Sequence, residues 1–213
     1  MEPGVLRQLL ATYSIEMPTT ALVKAADAVA TAEAMGYPVA IKALRRRVGH
    51  SVESGVALNL DDASDVADAV ATMVAHLGPD AAEVYVQPMK APGVDLRVKA
   101  SDDPTIGPIV AAGLGGVKAD IIADEEIRLA PVSPSVARSM IGSTRAAALL
   151  DDDDTDRASQ LVGRISHMVA SHPEIAELDL NPVSISDQGV SVLDASIVLR
   201  PSDRTPSTVR RLE

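Results

Sequence analysis

The stretch Glu177-Leu-Asp-Leu-Asn-Pro182, followed by Val192-Leu-Asp194, decides how this chain reads. In a strand, successive side chains point to opposite faces, so Glu177, Asp179 and Asn181 share one face and Leu178 and Leu180 the other. The turn signal Asp187-Gln-Gly189 folds the next strand back and brings Asp194 beside them. Three carboxylates and an amide on one patch repel one another unless a cation sits among them. Hard oxygen donors of this kind suit Mg²⁺, which binds through one or two protein oxygens plus the phosphates of a substrate. A face that merely meets water is the plainer alternative, set against the apolar Ile175, Leu178, Leu180 and Val183 around it.

Outward from that motif, helical spacing of Val5, Leu6, Leu9 and Leu10 predicts a leading helix over 2–14. An Ala-rich helix over 24–35 should stop at Gly36-Tyr-Pro38. Strands are expected at 39–43, 56–60, 83–89, 93–100, 107–114 and 127–130, separated by Gly, Pro and Asp turns. A helix should run from Asp61 to about Leu77, and two more over 135–143 and 155–171, joined through a solvated acidic loop, Asp151 to Asp154. Strands 175–185 and 190–199 close the pattern, and a polar tail from Pro201 frays. Helices mixed with antiparallel hairpins predict an α+β fold.

Composition narrows the function. With 46% hydrophobic residues but three Tyr and no Phe or Trp, the core is built from Val, Ile, Leu, Ala and Met, and the aromatic stacking platform of single-strand nucleic-acid binders is missing. A net charge of −11 repels phosphate backbones and anionic membranes, so neither nucleic acid nor membrane is expected as a partner. The absence of Cys excludes disulfides and thiolate chemistry and fits a cytoplasmic, soluble protein.

Two further features carry charge in telling places. Lys42 interrupts the apolar run Val39-Ala-Ile-Lys-Ala43, where an ammonium needs either an anion such as phosphate or a route to solvent. The following loop, Arg45 to Gly55, holds glycines, hydroxyls and three Arg, which suits a triphosphate or a solvated basic turn; it fits no phosphate-loop pattern. His167 and His172, near a helix C-terminus, and Met140 and Met168 read as dipole contacts and core filling.

These pieces stand in a recognisable order. Gly36-Tyr-Pro-Val-Ala-Ile-Lys42, Ser54-Gly-Val-Ala-Leu-Asn-Leu60, Val86-Gln-Pro-Met89, Pro92-Gly-Val-Asp95, Asp103-Pro-Thr-Ile-Gly-Pro108, Gly113-Leu-Gly-Gly116, Arg128-Leu-Ala-Pro131 and the Glu177 motif with Asp194 resemble the ATP-grasp part of NDP-forming acyl-CoA synthetases over residues 3 to 199. The resemblance implies an ATP-grasp fold of two α+β lobes, 1–90 and 91–200, with a nucleotide cleft between them and a tail over 201–213. It implies ATP or ADP and Mg²⁺ as cofactors. Lys42 would contact the phosphates, with Gly55 in the adjoining loop. The strand Glu83 to Met89, including Val86 and Gln87, would form the hinge edge for adenine. Arg128 would support the phosphates, Asp95 stands where the family has Glu, and Asp179, Asn181 and Asp194 would be the metal set. In such enzymes a phosphohistidine of the CoA-binding part relays phosphate, and His50 is the candidate for a second relay histidine. CoA-binding and ligase domains of the same polypeptide or a partner subunit are the implied partners. The sequence around Thr144-Arg-Ala-Ala147 is most similar to actinobacterial fusions with a GNAT acetyltransferase, which would make the chain a piece of a longer protein.

The chain departs from the family in its first loop, Gly49-His-Ser-Val-Glu-Ser-Gly55, and at Asp151 to Asp154, where a Gly-Tyr-Arg-Gly type segment is usual. Negative charge near a polyphosphate would weaken its binding. These departures motivate an alternative, a catalytically degenerate regulatory or scaffolding domain attached to an acetyltransferase. A structural interaction module without a ligand is the third option. Acyl substrate, ATP against GTP, and oligomeric state stay open.

Overall fold

The computed structural model describes residues 3–46, 51–103, 105–116 and 119–201. The expected relay residue His50 and the polar tail from 202 onward lie outside these. The chain divides into two compact units, one of Pro18–Lys90 and one formed by the segment up to Met17 together with everything from Ala91. The leading helix α1 (Pro3–Thr12) thus belongs with the later residues, because Leu6 and Leu10 sink into their core.

In the first unit, β1 (Ala21–Lys24) precedes a short 3-10 turn and α2 (Ala28–Met35); β2 (Val39–Ala43), β3 (Val56–Leu60), α3 (Ala63–Leu77) and β4 (Glu83–Pro88) follow. The strands form an antiparallel sheet in the order β1-β4-β2-β3. Asp62 caps α3 by accepting the Asp65 N–H at 3.0 Å. The helix then buries Val66, Ala69, Val70, Met73 and Leu77, a stripe at helical spacing, against Ile41, Val84 and Val86. The helix expected from Lys24 begins later than its composition suggests. Lys24 instead ends β1 and pairs with Glu83 of β4, and Ala25–Asp27 form the 3-10 turn before α2.

In the second unit, β5 (Val94–Asp103) and β6 (Gly107–Leu114) form a hairpin, followed by α4 (Ala119–Ile122), β7 (Glu125–Leu129), α5 (Pro134–Ser143), α6 (Asp152–Ser171), β8 (Ile175–Ser186), β9 (Gly189–Val192) and β10 (Ala195–Leu199). The sheet order is β10-β8-β5-β6-β7, with β9 beside the second half of β8. What reads as one strand over 190–199 is two, interrupted at Leu193-Asp194 but continuous in direction along β8. Helices α1, α5 and α6 and one face of this sheet build the core, in which Leu96, Val98, Val110, Met140, Ile165, Leu178 and Leu180 are buried.

The acidic run is not a loop. Asp151 caps α6 by accepting the Asp154 N–H at 2.7 Å, and Asp152, Asp153 and Asp154 occupy its first turn, where the helix dipole favours negative charge. Arg138 on α5 bonds Asp152 at 3.0 Å and also Asp156, and Arg157 bonds Asp154 at 2.7 Å. The segment has a structural task at the start of α6.

At the far end, Arg200 donates from Nη2 to the buried Asp102 carboxylate at 2.6 Å and to its carbonyl at 2.8 Å, fastening the chain beyond β10 to β5. Arg200→Ala removes a charge-assisted hydrogen bond from a carboxylate whose side chain is 2% exposed, and should lower unfolding free energy by about 2 kcal/mol. Urea denaturation measures this; Asp102→Asn added to the same chain should recover part of the loss.

Candidate functional site

In the first unit, Val39, Ile41 and Ala43 of β2 are fully buried, and strand alternation puts the half-buried Lys42 on the opposite face, together with Ala40, which is itself 3% exposed. Lys42 lies between Tyr85 of β4 and Val56 of β3 in the register. Gly55, at φ 98°, makes the left-handed turn into β3. A Cβ there would come within 3.0 Å of Ala43 and Leu77, so its role is close packing behind β2. The expected hinge strand β4 is interior, paired with both β1 and β2. Only its end from Gln87 passes beyond β1, which stops opposite Val86, and the Met89 N–H is taken by the Pro38 carbonyl at 2.9 Å.

In the second unit, strand alternation puts Asp95, Arg97, Lys99 and Ser101 of β5 on the face away from the helices, with Glu177 and Asp179 of β8. Between the pairs Leu96 opposite Val183 and Val98 opposite Leu180, β5 has one residue, Arg97, and β8 has two, Asn181 and Pro182. This is a β-bulge, a device that re-aims side chains next to functional sites. Pro fits the bulge because its position needs no donor, while its carbonyl still accepts the Leu193 N–H at 2.9 Å. Asn181 donates its backbone N–H to the Asp194 carbonyl at 3.1 Å, which sets Asp194 opposite Asn181 as the hairpin reading requires.

The side chains at the bulge are anchored. Asn181 Oδ1 accepts the Gly116 N–H at 2.8 Å, which explains why the Gly113-Leu-Gly-Gly116 segment belongs to the site. Gly115 packs so tightly on β5 that a Cβ would lie 2.2 Å from the Leu96 carbonyl carbon, so no larger residue can hold that loop in place. Asp194 Oδ1 accepts the Ala195 N–H at 3.0 Å. Asp179 is gripped by Arg97, Nε to Oδ1 at 2.9 Å and Nη2 to Oδ2 at 2.6 Å, a bidentate ion pair. Lys99 pairs with Glu125 at 2.5 Å across the same face, beside a cavity of about 380 Å³ that Ile109 and Ile127 also line.

Arg128 is not brought into this arrangement. It stands opposite Val110, a core residue, so its side chain emerges on the helix-covered side of edge strand β7, where it bonds Glu126 at 3.0 Å and the Ile127 carbonyl at 2.7 Å. The cations on the acidic face are Arg97 and Lys99, which sequence reading passed over. Their signal was available: both alternate with buried apolar residues on the strand next to the Glu177 motif.

Burial raises the Asp95 carboxyl above its ordinary value of 3.8. The folded chain therefore holds this proton more tightly than the unfolded chain. The group costs stability above its folded pKa, and the cost vanishes as pH falls to the unfolded value. Asp95→Asn should accordingly unfold at higher denaturant than the parent at neutral pH, with the gap closing as pH is lowered into the carboxylate range.

Residues 3–199 match the family described as ATP-grasp domain, and the chain belongs to it. Within that family it matches the β subunit of ADP-forming acetyl-CoA synthetases. It is 29% identical over 210 residues to the β subunit of acetate–CoA ligase (ADP-forming) II of Pyrococcus furiosus, covering 91% of this chain and 89% of that subunit. It is 30% identical over 208 residues to 4-hydroxybutyrate–CoA ligase (ADP-forming) of Nitrosopumilus maritimus, of whose length it spans only 30%. Among solved structures it resembles dinucleotide-forming acetyl-coenzyme A synthetase 1 of Ca. Korarchaeum cryptofilum in complex with coenzyme A and Mg-AMPPCP, its phosphohistidine segment pointing towards the nucleotide binding site. The TM-score is 0.73 at 32% identity, over 90% of this chain and 88% of that one. No helix among the described residues is long and apolar enough to cross a membrane.

Proposed function

We propose that this chain is the nucleotide-binding module of an ADP-forming acyl-CoA synthetase. It binds Mg·ATP or Mg·ADP and exchanges a phosphoryl group between the nucleotide and a phosphohistidine on a CoA-binding domain, in the same polypeptide or a partner subunit. The observation that carries this reading is the bulge in β8, which sets Asn181 against Asp194 and ties Asn181 to Gly116. The donors fit Mg²⁺. The Asn181 carbonyl oxygen has two lone pairs, one of which takes the Gly116 N–H, and Asp194 brings a carboxylate to the same strand end. Among the described residues no three His, Asp or Glu side chains gather around a metal position, so the protein donors are few, as suits an ion that retains water and takes phosphate oxygens. When bound, Mg²⁺ supplies positive charge to phosphate oxygens during transfer.

Lys42 supplies a fixed positive charge to the phosphates from its own sheet, and the end of β4 past Val86 holds the base. His50 acts as the second relay histidine. The nucleotide and CoA that the reaction needs place the protein in the cytoplasm. The test is label transfer: γ-labelled ATP, Mg²⁺, this chain and the CoA-binding domain should give acid-labile phosphate on that domain. His50→Ala should stop the transfer while nucleotide still binds. Nucleotide binding with no transfer to any histidine overturns the reaction.

A further inference from the structure

We infer that Asp124 is a positioning residue of the nucleotide site: its carboxylate pins the Gly113-Leu-Gly-Gly116 segment to the turn at Thr144-Arg145, and through Gly116 it fixes the aim of the Asn181 side chain. This rests on the function proposed above and deepens it, since it gives a part to a carboxylate that stands outside the Glu177 motif.

Asp124 lies just before β7, and its two oxygens collect backbone donors from two separate segments. Oδ1 and Oδ2 accept the Arg145 N–H at 3.0 and 2.9 Å, and Oδ2 also accepts the Leu114 N–H at 3.2 Å. Bonds of this kind to an ionised carboxylate are stronger than those between neutral groups. The Arg145 side of the bridge is rigid. Thr144 and Ala146, on either side of it, are buried, and the Thr144 hydroxyl donates to the Ile141 carbonyl at 2.8 Å, closing the end of α5. The turn after α5 is therefore the fixed point, and the glycine segment is what it holds. A mere cap for the short 3-10 helix Arg145–Leu149 would need the Arg145 bonds alone; the bond to Leu114 is the one that reaches the site.

From Leu114 the link runs on without slack. The N–H groups of Leu114, Gly115 and Gly116 are taken in succession by the Asp124 carboxylate, the Asp95 carbonyl at 2.8 Å and Asn181 Oδ1 at 2.8 Å. Gly113 approaches Asp124 so closely that a Cβ would fall 1.4 Å from its backbone carbonyl oxygen, and Gly116 turns at φ 81°, which favours glycine. The last torsion of an Asn side chain has only broad intrinsic preferences, so the Gly116 N–H decides where the Asn181 oxygen faces. A segment released from Asp124 lets that oxygen swing.

Calorimetric titration of Mg·ADP into the whole chain tests the role. Asp124→Ala should weaken binding by about tenfold, as loss of a group supporting a metal ligand does. Asp124→Asn, whose amide oxygen still accepts from Leu114 and Arg145, should recover most of this and bind within about threefold of the parent. A residue that only supports folding would lower affinity by the same factor whatever stands at 181. Acting through Asn181 gives a different result: in an Asn181→Ala chain, adding Asp124→Ala should cost less than about twofold more. Parent-like affinity in folded Asp124→Ala, Asp124→Asn as weak as Asp124→Ala, or the full single-variant loss repeated in the double variant overturns the inference. If Asp124→Ala does not fold, Asp124→Ser, whose single oxygen sits on a shorter side chain, takes its place with the same expectations. If Asn181→Ala binds too weakly to titrate, the contrast between Ala and Asn at 124 decides alone. A folded parent that binds no Mg·ADP overturns the proposed function as well, whereas one that binds it, indifferent to Asp124→Ala, overturns the inference only.

Discussion

Lys42→Met should weaken binding of Mg·ADP by about ten- to a hundred-fold, the range expected when one charge-assisted contact to phosphate is lost. The side chain leaves β2 on the face away from the helices, so its loss opens no cavity among Ile41, Ala43 and Met73. The melting temperature should move by no more than about 3 °C. A separation of this kind, large in affinity and small in stability, distinguishes a binding lysine from a strand-end lysine kept for solubility. Equal nucleotide affinity in parent and variant would return Lys42 to the second class.

The largest effect on stability should come from the buried face of β8. Leu180 is fully buried between Val98 of β5 and Ala195 of β10, one residue before the bulge. Leu180→Ala should cost about 3 kcal/mol, from lost apolar transfer and the cavity left behind. The same change loosens the strand that aims Asn181, so nucleotide affinity should fall even at temperatures where the chain remains folded. The chain has two compact units, so the urea transition should be followed with a probe in the second unit, where Leu180 lies.

Much of this was legible from sequence because alternation carries it. Leu178 and Leu180 against Asp179 and Asn181, and Ile41 against Lys42, state which face is core without any knowledge of neighbours. Three strands, 39–43, 56–60 and 107–114, have the bounds that their flanking Gly, Pro and Asp residues set. What stayed hidden was pairing at a distance. Arg97 and Asp179 are 82 residues apart, so nothing local says that Asp179 of the Glu177 motif pairs with Arg97. Edge strand β1 was lost to the helical preference of Ala25 and Ala26, since only pairing with β4 makes Ala21 to Lys24 extended. The bulge at Asn181-Pro182 was likewise invisible, because one extra residue shows only against a partner strand. Asp151 to Asp154 read as a loop through their charge, although an aspartate cap followed by acids in the first turn is equally a helix start.

The central claim, that this ATP-grasp chain holds Mg·nucleotide through Lys42, Asn181 and Asp194, is met most directly by calorimetric titration of Mg·ADP into the purified chain. Saturable one-to-one binding that is lost on chelating the metal and in Asp194→Asn is the expected result. A flat trace at about millimolar nucleotide, with a folded sample, would contradict it.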